Sequence, residues 1–135
     1  MRGRVSSRFG AAADNLKTVE GLLLRRTGLP SMAPGTLNVS INIDYIVIPD
    51  AVITGQEYFT GETLKLQRCR VRGHRMIIMR PDSHERVKGG SRVLELVSPI
   101  NLRATWGLVN DNILEVEVEG DDAWWTAPEP KTAQA

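Results

Sequence analysis

Leu114, Val116 and Val118 alternate with Glu115, Glu117 and Glu119, and a strict period of two describes a strand with one face in a core and the other in water. A chain carrying such a strand has to supply a sheet for it to join. The remaining candidates are short: Gly3 to Ser7, Thr36 to Ile43, Leu64 to Arg72, Met76 to Met79 and Val93 to Val97. Met76 to Met79 is apolar throughout, as in a strand buried on both faces. Along Leu64 to Arg72, Leu64 and Leu66 hold the parity that Arg68, Arg70 and Arg72 then take over, while Cys69 and Val71 occupy the other. Simple alternation cannot do this, so a bulge or break is expected near Gln67. Ile46-Val47-Ile48 is a short apolar run closed by Pro49-Asp50, and residues 51 to 61 carry no clear period.

One helix is expected. Asp14 is a good N-cap, Leu16, Val19 and Leu23 share a face, Arg25 and Arg26 suit the C-terminal dipole, and Gly28 is a stop signal. Two prolines and a glycine make residues 29 to 35 a loop, the polar run Pro81 to Ser91 reads as a mobile loop, and Pro99 to Trp106 has room for a short helical turn near the C-terminal strand. Many short strands, one early helix and no strand–helix–strand rhythm argue for a mainly β fold, a small closed β-barrel, over a layered α/β fold. Residues 1–120 read as that domain and 121–135 as a flexible tail, too poor in apolar groups to fold alone. Trp124 and Trp125 either pin the tail to the barrel or mark a partner contact.

Composition narrows the function classes. A length of 135 residues suffices for one core. With 17 Lys+Arg against 16 Asp+Glu, a net charge of +1 and 5% aromatic residues, neither a phosphate-backbone surface nor a base-stacking platform is well supplied, so no nucleic acid partner is expected. Arg68, Arg70, Arg72 and His74 form a basic stripe that reads as a solvated strand face. Cys69, the single cysteine, excludes an internal disulfide and a Cys-rich zinc site. With no apolar run long enough for a span or a secretory signal, a cytoplasmic protein without membrane contact is expected. Oligomeric state is open, and a monomer is compatible with everything above.

The common phosphate-loop, nucleophile-elbow, zinc-protease and protein-kinase motifs are absent. Three segments nevertheless carry chemistry. In Pro34-Gly35-Thr36-Leu37-Asn38-Val39, Thr36 and Asn38 stand two apart on a strand and point to one face. That pair of neutral oxygens suits Mg²⁺, or simply bonds neighbouring backbone at a strand start. Arg8, Phe9, Gly10, Ala11, Ala12 and Ala13 run from a strand into a helix start, a place for an anion or an ordinary capped loop. Glu95 shares a strand face with Val93 and Val97, so its carboxylate either meets a ligand or sits at a wet rim. His74 and His84 lie in basic or polar surroundings and read as surface residues.

Gly28-Leu29 with Pro34-Gly35-Thr36-Leu37-Asn38-Val39, followed by Val93-Leu94-Glu95-Leu96-Val97-Ser98-Pro99-Ile100-Asn101-Leu102-Arg103, resembles the archaeal CTP-dependent riboflavin kinase family in order and spacing over most of residues 2 to 120. The resemblance implies a cradle-loop β-barrel that transfers the γ-phosphoryl group of CTP to the riboflavin 5′-hydroxyl, giving FMN and CDP. It implies Mg²⁺ held by Thr36 and Asn38, and Glu95 beside the ribityl chain as the catalytic group. Phosphates would be cradled by Arg8 to Ala13, and the cytidine site lined by Ile100, Asn101, Leu102, Arg103, Ala104 and Thr105. Ser83 stands nearest to the threonine that the family carries beside the flavin. The family's phosphate loop is rich in glycine, whereas here Gly10 alone remains, with Arg8 and Ala12 at the flanking glycine positions. The alternative, from another class, is a non-catalytic barrel that binds a flavin or nucleotide as a regulatory or interaction module.

Overall fold

A computed structural model describes residues 1–6, 16–58, 62–86 and 90–130. Within them, β1 (Arg2–Ser6), α1 (Leu16–Thr27), β2 (Leu37–Ile41), β3 (Ala51–Ile53), β4 (Leu64–Val71), β5 (His74–Pro81), α2 (Asp82–Arg86), β6 (Val93–Val97), α3 (Leu102–Trp106), β7 (Ile113–Glu115) and α4 (Asp122–Thr126) follow in chain order. Short 3₁₀ turns cover Gly55–Tyr58 and Gly90–Arg92. The expectation of one helix and one helical turn is corrected to four α-helices among the described residues. The two unforeseen ones, α2 and α4, span five residues each, too few to impose a period on the sequence.

All seven strands join one antiparallel sheet in the order β3-β4-β5-β6-β2-β1-β7. The closed barrel is not borne out, because no ladder joins the two edges. Beyond β7 the chain touches β4 through one bridged pair, Arg70 and Glu117, which exchange backbone hydrogen bonds of 2.9 and 2.8 Å. The ladder of β7 stops at Glu115, but the alternation continues in the packing, with Leu114 and Val116 buried and Glu115 and Glu117 exposed. The expected Thr36 to Ile43 strand is shorter, Leu37–Ile41, and Ile46 to Ile48 belongs to no strand.

The bulge expected near Gln67 is absent. β4 pairs with β5 without interruption from Leu64 opposite Pro81 to Val71 opposite His74, through a two-residue turn in which Arg72 and Gly73 both have positive φ, 52° and 80°. Parity changes along β4 because each half of the strand is buried on a different face. Cys69 and Val71 enter the core on the concave side of the sheet with Val39, Ile78 and Leu94. Leu64 and Leu66 turn to the opposite, outer side, where α1 lays Leu16, Val19 and Leu23 over them. That stripe is the one the sequence predicts for α1, and Gly28 ends the helix at φ 83°, donating to Leu24 O at 2.9 Å.

The basic stripe is solvated at Arg72, which is exposed in the turn after β4 with its guanidinium 4.8 Å from the Trp106 ring centre, but not at Arg68 and Arg70. α4 covers those two, with Trp125 buried and its indole N–H donating to Cys69 O at 3.1 Å. Arg68 stacks on the Trp125 ring at 4.5 Å, and Arg70 donates to the carbonyls of Gly73, Trp125 and Ala127. Glu129 accepts from Arg75 Nε at 2.7 Å and lies 3.2 Å from His74 Nδ1. Trp125 therefore pins residues 121–130 to the sheet. No helix of the described residues is long and apolar enough to cross a membrane.

Candidate functional site

Antiparallel register aligns one residue from each of six strands in a row across the outer face. Ala51 stands opposite Leu66, Leu66 opposite Met79, Met79 opposite Glu95, Glu95 opposite Asn38, and Asn38 opposite Ser6. Facing residues in a ladder project to the same side. The first half of the row, Leu66 and Met79, is packed beneath α1. The second half is polar, and Glu95 Oε1, Asn38 Oδ1 and Ser6 Oγ are each shut from solvent with no hydrogen-bond partner among the described residues. Three consecutive orphaned oxygens are far from the rule that buried polar groups are paired, each costing on the order of 1–3 kcal/mol. Ordered water, an ion or a bound ligand can satisfy such groups.

Glu95 sits at 2% exposure between buried Leu94 and Leu96. Its Oε2 accepts from Thr36 Oγ1 at 3.3 Å, so the Thr36, Asn38 and Glu95 expected at one site are indeed brought together. Burial pushes its carboxyl up to about 7, against the opposing influences of the Thr36 hydrogen bond and the nearby Arg80 charge. A carboxylate at that value is divided between acid and base near neutrality.

Gly35 places Thr36. Its φ of 79° turns the chain out of Pro34 into β2, and a Cβ there would meet no atom within 4 Å, so glycine serves the turn and not a close approach. Around this turn lies a cleft of about 160 Å³ between Ala33–Leu37 and Leu96–Arg103, lined by Ile100, Asn101, Leu102 and Arg103. Ala104 and Thr105 do not line it; they continue α3, exposed, with Ala104 N–H capped by Asn101 Oδ1 at 3.1 Å. Arg103 is engaged elsewhere, donating to Ser6 O at 3.2 Å and Asn110 Oδ1 at 2.9 Å, which ties this wall to the end of β1. A second hollow, lined by Leu16, Lys17, Glu20 and Met32–Gly35, opens at the start of α1.

Arg8, Phe9, Gly10, Ala11, Ala12 and Ala13 lie outside the described residues. So do Ser7, the N-cap candidate Asp14, and Asn15; the described residues on either side are Ser6, which ends β1 in the polar row, and Leu16, which begins α1 beside Pro34 and Gly35.

The run Pro81 to Ser91, expected as a loop, contains α2, and α2 is held firmly. Ser83 N–H donates to Glu62 Oε1 at 2.7 Å. Glu85 accepts from Val47 N at 2.7 Å, Lys65 Nζ at 2.5 Å and Arg80 Nη1 at 3.2 Å. Arg80, 1% exposed, also donates to the carbonyls of Tyr45, Ser91 and Val93, joining α2 to the start of β6. Between these anchors the residue turned toward the row is His84, with Nδ1 4.0 Å from Glu95 Oε1. His84 and Ser6 were not legible as site residues, because only strand register and the direction of α2 bring them there.

Among the described residues no group of three or more His, Cys, Asp or Glu forms a metal cage. A cation here would take neutral oxygens, and Asn38 Oδ1, buried and unpartnered, is free to serve. Thr36, which donates its proton to Glu95, keeps oxygen lone pairs for the same purpose. The donor set fits a hard cation that completes its shell with water and phosphate.

No protein-family model matches the chain. It is 32% identical over 127 residues to a riboflavin kinase of Pyrobaculum arsenaticum, covering 86% of this chain and 59% of the relative, so it spans somewhat more than half of that protein's length.

Proposed function

We propose that this chain is a riboflavin kinase of the CTP-dependent type, phosphorylating the ribityl 5′-hydroxyl to give FMN. Two things support the reading: similarity to a riboflavin kinase, and above all the row of unpartnered oxygens on Glu95, Asn38 and Ser6 beside a cleft.

The ribityl chain would lie along Glu95, whose carboxylate accepts the proton of the attacking hydroxyl as its oxygen bonds the γ-phosphorus. The bond from that phosphorus to the β,γ-bridging oxygen breaks, and the diphosphate leaves. A carboxyl held near 7 takes this proton and returns it to solvent without a large penalty in either direction. The cleft between Pro34–Leu37 and Ile100–Arg103 would take the cytidine, and the segment Arg8 to Ala13 the phosphates. Thr36 and Asn38 would hold Mg²⁺, which when bound supplies charge neutralisation at the phosphates. What the chain itself contributes is alignment of hydroxyl and phosphate and exclusion of water by the buried row.

Riboflavin and Mg²⁺ incubated with CTP, ATP, GTP or UTP in turn test this, with FMN read by chromatography. CTP is expected to give product and to be the best donor. No FMN from any donor would sink the kinase in favour of a binding module, an outcome in keeping with Arg8 and Ala12 where the family carries glycine.

A further inference from the structure

We propose that His84 Nδ1 and Glu95 Oε1 together hold one hydroxyl of the ribityl chain, making His84 a second substrate contact; this rests on the flavin reading above. Glu95 Oε1 is buried and has no partner among the described residues, yet the imidazole nitrogen stands 4.0 Å away. That separation is too long for a direct hydrogen bond and suits one oxygen placed within bonding distance of both. A hydroxyl matches the pair, since it donates one proton to the carboxylate and accepts one from an imidazole N–H. A carbonyl has no proton to give the carboxylate form of Glu95, and a second carboxylate would be repelled by it.

His84 is placed for this by the residues on either side. Ser83 is tied through its backbone N–H to Glu62, and Glu85 through its carboxylate to Lys65, Arg80 and Val47. The imidazole is thus held toward the row without a strong hydrogen bond of its own to Glu95. Burial and Arg80 lower its pKa against the opposing charge of Glu62, which keeps the ring neutral at pH 7 with one nitrogen protonated. Ser83, the residue on α2 that the resemblance favours for the flavin, spends its backbone N–H on Glu62. His84 is the group of that turn that reaches Glu95.

Binding separates this role from a structural one. Flavin fluorescence quenching, with CDP and Mg²⁺ present, would be measured for riboflavin and for lumiflavin, which keeps the isoalloxazine but lacks the hydroxyl chain. His84→Ala is expected to weaken riboflavin about tenfold, the worth of one hydrogen bond to a polar partner, and to leave lumiflavin unchanged. His84→Asn, whose amide N–H lies near the position of Nδ1, is expected to restore part of the loss. Unchanged riboflavin affinity in His84→Ala, or equal losses on both flavins, would overturn the proposal while leaving the flavin site standing. A parent protein that binds neither flavin would overturn the flavin reading and this inference with it.

Discussion

The outer face of the sheet buries polar side chains in two places and treats them in opposite ways. Under α4, Arg70 is 6% exposed, and its terminal nitrogens donate to three carbonyls, leaving Nε alone without a partner. In the row across β1, β2 and β6, Glu95 is more deeply buried, yet its Oε1 has no hydrogen-bond partner among the described residues, and neither has Asn38 Oδ1 beside it. A buried charge tied into the fold is what structure requires. A buried acid that the fold leaves open carries a cost that protonation, water or a ligand must offset. The first region should therefore fail by unfolding when cut, and the second by losing function.

The largest expected effect is in the first region. Arg70→Ala strands two carbonyls at the end of α4 and opens space beside Trp125, for a loss of about 3 kcal/mol in urea unfolding. FMN formation by the folded fraction should stay near that of the parent. A fall in turnover without a fall in stability would erase the distinction between the two regions.

A smaller effect is expected in the second. Asn38→Ala deletes an oxygen without a partner among the described residues, so the relief of its desolvation cost offsets the lost packing and the unfolding free energy should not fall by more than about 1 kcal/mol. FMN formation at limiting Mg²⁺ should drop at least tenfold and recover in part with excess Mg²⁺. If the melting temperature collapses instead, Asn38 belongs to the fold.

How far this contrast is legible in the sequence differs by region. β6 is found at its true bounds, and the shared face of Thr36 and Asn38 follows from a period of two. The stripe Leu16, Val19 and Leu23 is the one α1 buries. These signals are local. Ser6 and His84 carry no local signal, since the first joins the row only through register with Asn38 and the second only through a five-residue helix in a polar run. The parity shift in β4 points to a bulge because a lone strand gives no hint that α1 covers one half and the concave core the other. Arg68 and Arg70 read as solvated because their cover, Trp125, lies more than fifty residues further along.

The most direct measurement is the unfolding free energy of the parent and of Glu95→Gln in metal-free buffer from pH 4.5 to 8.5, with turnover measured on the same samples. The folded carboxyl titrates near 7 and the unfolded one near 4.5, so between these values the folded state holds the extra proton, and the parent loses stability as pH rises through the window. The full difference is on the order of 3 kcal/mol, complete above pH 7. Glutamine has no proton to lose, so the variant should gain on the parent across that window and match or exceed it at pH 8.5, while FMN formation falls by a hundredfold or more. A variant that is less stable at every pH and still phosphorylates riboflavin would make Glu95 a structural member and contradict the account.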